Sequence, residues 1–176
     1  MKNDDQKPKL SAGESSESNT IKLTATAYHE AGHAVMAIVL GRSIEKVTIS
    51  PALLQTGGSR LGACRVQKGR FKASRDGLED DVLILLAGMV AESHFTGRYC
   101  EEGAAQDLRA VKRLLAKRAK NDRNIDRLTR RLLDKTEHIL GASEHAKTIQ
   151  RVSRELLHKK TITGRAVQHW LKQARQ

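Results

Sequence analysis

Aromatic side chains are scarce in this 176-residue sequence: two Phe, two Tyr and one Trp amount to 3% of it, so Leu, Ile, Val and Ala have to fill most of any core. Long apolar runs are missing too. The most apolar stretch, Val82 to Ala91, falls well short of the ~20 residues that cross a bilayer, and the N-terminus lacks a basic segment followed by an apolar one. A cytoplasmic protein without a membrane segment is expected. Only two cysteines occur, Cys64 and Cys100, with no paired metal-ligand spacing. That excludes a multi-bridge disulfide scaffold and fits reduced thiols in a reducing compartment. What remains, 39% hydrophobic and 30% charged residues, is globular composition at a length suited to one domain.

Acidic charge is also in short supply, and unevenly so. The net charge is +12, and residues 101–176 hold 19 Lys/Arg against 9 Asp/Glu, so nearly all of the excess lies in the C-terminal half. Nucleic-acid binding is one reading of such a balance, but that half offers little beyond Trp170 for base stacking, and its charges fall on helical faces opposite apolar ones. A solvated basic face is the expectation, with no nucleic-acid partner.

Residues 1–20 combine Ser, Asp, Glu, Lys and Gly with almost nothing to bury and read as a disordered lead to a domain spanning 21–176. Thr24 can cap a helix running to about Leu40, with Gly41 placed to end it. Two β-like runs follow, Ile44 to Ser50 and Leu61 to Gln67, separated by Pro51 and Gly57-Gly58, as in an antiparallel hairpin with a long loop. Asp76 and Gly77 lead into a helix through Phe95, closed by Gly97. Amphipathic patterns then predict helices at Gly103 to Lys120, about Asn124 to Leu140 and about Ser143 to Lys159, with a short last helix after Thr163. The fold class is therefore mainly α with a small antiparallel β element.

The chemistry concentrates in His29-Glu30-Ala31-Gly32-His33. Residues four apart share a helix face, so His29 and His33 can direct imidazole nitrogens at one ion, while Glu30 beside them can take a proton from water and return it to a leaving amine. A His-Glu-x-x-His string arises by chance in roughly 2% of chains of this composition, so context has to carry it. Here it falls inside a predicted helix. Catalytic zinc takes three protein ligands, and the third has to come from elsewhere; Glu92, His94, Glu101, Glu102 and Asp107 are candidates that spacing alone does not separate. Asp107 is placed where a carboxylate is favoured, near the start of a helix after the small-residue turn Gly103-Ala104-Ala105.

Three separated segments carry a family resemblance. Ala27-Tyr28-His29-Glu30-Ala31-Gly32-His33-Ala34 resembles the zinc helix of the FtsH-type ATP-dependent zinc metalloproteases. Leu85-Leu86-Ala87-Gly88-Met89-Val90-Ala91-Glu92 is similar to that family's Leu-Gly-Gly-Arg-Ala-Ala-Glu helix, and Gly103-Ala104-Ala105-Gln106-Asp107-Leu108 to its Gly-Ala-x-x-Asp-Leu segment. The resemblance implies a mainly helical zinc peptidase domain, with His29, His33 and Asp107 as metal ligands, Glu30 as catalytic base, and Glu92 orienting a ligand histidine. It implies a protein or peptide substrate and an edge strand, Leu61 to Gln67, that pairs with it. Met89 and Ser93 depart from the family pattern, and no Gly-rich phosphate loop resembling the family's ATPase module is seen. The expected activity is therefore cleavage of unfolded or flexible segments, with a separate ATPase or unfoldase partner and a homo-oligomer both compatible with it. The competing expectation is a peptidase-like binding or regulatory module that engages an acidic partner or nucleic acid through its basic C-terminal helices.

Overall fold

The computed structural model describes residues 12–50, 52–53, 59–60, 62–66 and 76–176, among which six helices are accompanied by a small sheet. The first helix, α1 (Ala12–Val39), ends where the pattern of residues requires it. Gly41 takes φ 78°, its N–H donates to the Ile38 carbonyl, and Arg42 N–H donates back to Ala37. This paired bonding satisfies carbonyls that the helix end leaves open, and it needs a residue without a β-carbon at the left-handed position.

The start of α1 differs from expectation. The helix already runs through residues 12–20, and Thr24 lies inside it, its hydroxyl donating to the Thr20 carbonyl. A Thr is permitted at a cap but does not impose one; inside a helix it can bond back four residues, and extending an existing helix costs far less than nucleating one. Residues 1–11, Pro51, the Gly57-Gly58 pair and Leu61 lie outside the described residues.

The second helix, α2 (Gly77–Thr96), opens on Asp76, whose side chain accepts from Glu79 N, and closes on Gly97 in the left-handed region. Its residues are buried almost continuously from Val82 to Glu92, on every face, as befits a helix at the centre of the domain. It packs against α1 through a close approach. A β-carbon on Gly32 would lie 2.3 Å from the Ala87 carbonyl oxygen and 2.5 Å from Ala91 Cβ, so only glycine lets the two backbones meet there. Tyr28 stacks on Phe95 at 5.2 Å near the far end of the same contact.

Around this pair stand α3 (Ala105–Leu115), α4 (Asp122–Leu140), α5 (Ser143–Lys159) and α6 (Gly164–Ala174). The helix expected over Gly103 to Lys120 is thus shorter, flanked by turns, while α4 begins on Asn121, which accepts from Asn124 N as a cap. The core is aliphatic, joining Val35 and Met36 of α1, Leu83 and Leu86 of α2 and Val152 and Leu156 of α5.

The sheet consists of β1 (Ile44–Thr48) between β4 (Ala63–Val66) and β5 (Thr161–Thr163), all antiparallel, while β2 (Ala52–Leu53) and β3 (Ser59–Arg60) form a separate pair. The expected pairing of the first two β-like runs holds as β1 with β4, which leaves β4 on an edge among the described residues. Strand β5 was not expected: three residues, Thr161-Ile162-Thr163, give no periodic signal, and they pair with a strand more than a hundred positions earlier.

Candidate metal centre

His29, Glu30 and His33 lie on the part of α1 that faces α2, and all three are buried. Asp107, in the first turn of α3, reaches the same point from the other side. The Asp107 Oδ2 atom is 3.1 Å from His29 Nε2 and 3.3 Å from His33 Nε2, and one ligand atom from each residue lies within 4.8 Å of the others. The ring edges are fixed from behind. His29 Nδ1 donates to Glu92 Oε2 at 3.0 Å, and His33 Nδ1 donates to the Ile84 carbonyl at 2.7 Å. Because both partners accept, each ring turns Nε2 towards Asp107.

Two imidazole Nε2 atoms and a carboxylate oxygen held this close form a set that calls for a cation. Ligands in tetrahedral array around zinc at 2.0–2.1 Å stand about 3.3 Å apart, close to the separations found here. Space is kept for it. A β-carbon on Gly88 would lie 2.5 Å from His29 Nε2 and 2.6 Å from His33 Nε2, so the bare backbone of α2 leaves the front of both rings open. The donor set fits zinc in type, number and spacing, with room for a fourth ligand.

The electrostatics agree. Burial disfavours a charged His29, yet hydrogen bonds to Asp107 and Glu92, together with the Glu30 charge, outweigh it and raise its pKa to about 9. Burial likewise disfavours ionised Asp107, but hydrogen bonds from His29 and His33 hold its carboxyl well below the usual carboxylate range.

These side chains open onto a cleft of about 480 Å³ that is bordered by Glu30, Gly62, Glu92, Cys100 and Asp107. Gly62, just ahead of β4, lies directly over Glu30: a β-carbon there would fall 2.6 Å from Glu30 Oε1. The edge strand therefore begins at the candidate base.

With this geometry in view, the profile of peptidase family M41 matches residues 17–121, the span that contains every residue of the cluster. The chain belongs to peptidase family M41. Similar proteins include the ATP-dependent zinc metalloprotease FtsH of Protochlamydia amoebophila, 37% identical over 93 residues that make up 51% of this chain and 10% of that protein. FtsH 2 of Methylacidiphilum infernorum is 38% identical over 88 residues, 48% of this chain and 13% of its own length. A component of the mitochondrial inner membrane m-AAA protease of Mus musculus is 38% identical over 91 residues, 50% of this chain and 11% of its own. The chain thus spans a small fraction of the length of these relatives. Among the described residues, no helix is long and apolar enough to cross a membrane.

Of the five candidates for a third ligand, the structure brings Asp107 to both histidines and sets Glu92 behind His29. Exposed Glu101, Glu102 and His94 do not join the cluster of possible ligand atoms. Three features of this candidate site carry little or no signal in the sequence. The Ile84 carbonyl leaves no side-chain signal, and the close contacts of Gly62 and Gly88 emerge only once α1, α2 and the sheet are packed. For Gly88 a signal existed, a glycine inside an otherwise apolar helix, where it is unfavourable unless something must come close.

Proposed function

We propose that residues 21–176 act as a zinc-dependent endopeptidase that hydrolyses peptide bonds in unfolded or flexible protein segments. The observation that carries this reading is the convergence of His29 Nε2, His33 Nε2 and Asp107 Oδ2 beside a cleft lined by His29, Glu30 and Asp107. Zinc held by these three residues supplies Lewis-acid chemistry, acidifying water and polarising a carbonyl. The remaining work belongs to the chain. Glu30 takes a proton from the attacking water as its oxygen bonds to the carbonyl carbon. When the carbon–nitrogen bond breaks, Glu30 passes that proton to the leaving amine. Glu92 and the Ile84 carbonyl keep the imidazoles turned inward, and burial excludes competing water.

An extended substrate has a ready partner in the edge of β4 that is unpaired among the described residues, where main-chain pairing binds a strand without demanding a particular sequence. A cleft reached by a single strand suits flexible polypeptide, and folded substrates would call for a separate ATPase or unfoldase. The test is cleavage of an unfolded casein-type substrate by the zinc-loaded protein. Glu30→Gln should lower kcat about 10²- to 10⁴-fold while keeping one zinc per chain; equal cleavage by wild type and variant overturns the proposal.

A further inference from the structure

We infer that the face of α3 beside the metal centre selects substrate segments carrying acidic side chains a few residues from the cut. This rests on the peptidase reading above and says where the polypeptide lies as it leaves the site. Gln106, Arg109, Arg113 and Ala116 recur at intervals of three and four, which places them in one stripe along the helix. With Lys112 and with Leu85 of α2 they line an open groove of about 780 Å³. Gln106, Asp107 and Arg109 also border the cleft that holds His29 and Glu30, so the groove continues out of the metal centre.

The basic charge of this groove is only partly compensated. Lys112 pairs with Asp122 at 3.3 Å, but among the described residues neither Arg109 nor Arg113 makes an ion pair, and both are exposed. A half-buried Leu85 and Ala116 provide an apolar strip beside two free guanidiniums, a surface that complements an extended segment alternating apolar and acidic side chains. The cleft itself mixes Lys22 with Glu92 and Glu102, whereas both unpaired arginines of the groove lie on α3. The preference therefore has a direction and holds on one side of the scissile bond only. Asp107 and Arg113 are separated by roughly 9 Å along the helix at 1.5 Å per residue, a distance an extended chain covers in about three residues.

Fluorescence-quenched peptides with one central apolar residue and Glu or Gln at each flanking position test this on the full chain loaded with zinc. Glu two or three residues to one side should raise kcat/KM about five-fold over Gln, chiefly through KM, and the ratio should approach one at high salt. In the Arg109→Gln/Arg113→Gln double variant the Glu-to-Gln ratio should fall to about one, and in Arg113→Glu the preference should turn towards Lys at the same position. Equal kcat/KM for Glu and Gln peptides, or a preference that survives in both variants, overturns the inference while leaving the peptidase reading intact. Should no peptide be cut, the peptidase reading fails and binding decides the groove. Fluorescence anisotropy with Glu30→Gln protein should then show salt-sensitive tighter binding of the Glu peptide, and equal affinities overturn the inference.

Discussion

Replacing Gly88 with alanine probes the metal centre from the side that no ligand occupies. The added methyl carbon would sit 2.5 and 2.6 Å from the two donor nitrogens, whereas ordinary contact begins at 3.4 Å. The overlap is about 0.8–0.9 Å with each ring, and it falls in or beside the volume where a cation bound at 2.0–2.1 Å would lie. The rings cannot turn aside without breaking the His29–Glu92 and His33–Ile84 hydrogen bonds. Sliding α2 away from α1 would undo the close contact of Gly32 with Ala87 and Ala91 and the packing built around it. Overpacking of this kind costs about 1–3 kcal/mol of folding stability. The larger effect falls on the metal: with both histidines displaced, zinc affinity should drop by about 100-fold or more, since disturbing even one ligand's support costs about 10- to 100-fold. Competition against a coloured chelator measures the affinity, and urea unfolding of the metal-free protein measures the stability. A Gly88→Ala protein that binds one zinc per chain with wild-type affinity would refute the placement of the ion between His29, His33 and Asp107.

Gly62→Ala should separate binding of the metal from catalysis. Its methyl meets Glu30 and not the histidines, so activity should fall at least about ten-fold with zinc stoichiometry unchanged, and simultaneous loss of zinc contradicts the assignment. Glu92→Ala removes the acceptor behind His29 and should weaken zinc binding about 10- to 100-fold; an unchanged affinity in the chelator assay removes Glu92 from the site. At the start of α2, the Arg118 guanidinium and the Glu79 N–H hold the Asp76 carboxyl down to about 2 from its ordinary 3.8. A depressed carboxyl stabilises the fold above its unfolded pKa. Its contribution is therefore complete above pH 3.8 and disappears as the pH falls to about 2. Asp76→Asn keeps the capping oxygen and loses the ion pair, so the difference in urea midpoint between wild type and variant should shrink across that interval; a constant difference would show that the pair contributes nothing.

Most of the elements, and two of the three candidate ligands, are legible in local sequence. Helix periodicity, the caps at Asp76, Gly97 and Thr163, and the i, i+4 spacing of His29 and His33 are local, so they are legible wherever the chain is read in windows of a few turns. The start of α1 was missed because a Thr offers a cap without compelling one. The strand β5 was missed because its partner is remote. Spacing also left five residues competing to be the third ligand. Only the tertiary structure brings one of them, Asp107, to both imidazoles, because whether a carboxylate some seventy positions beyond His33 meets them depends on how α3 lies across α1 and α2. It also decided why small residues stand at 32, 62 and 88. Each lies where a backbone passes within contact distance of another backbone, of the candidate base or of the candidate ligands. Periodicity reports which face of an element is buried, but the distance between two faces is set by everything packed behind them.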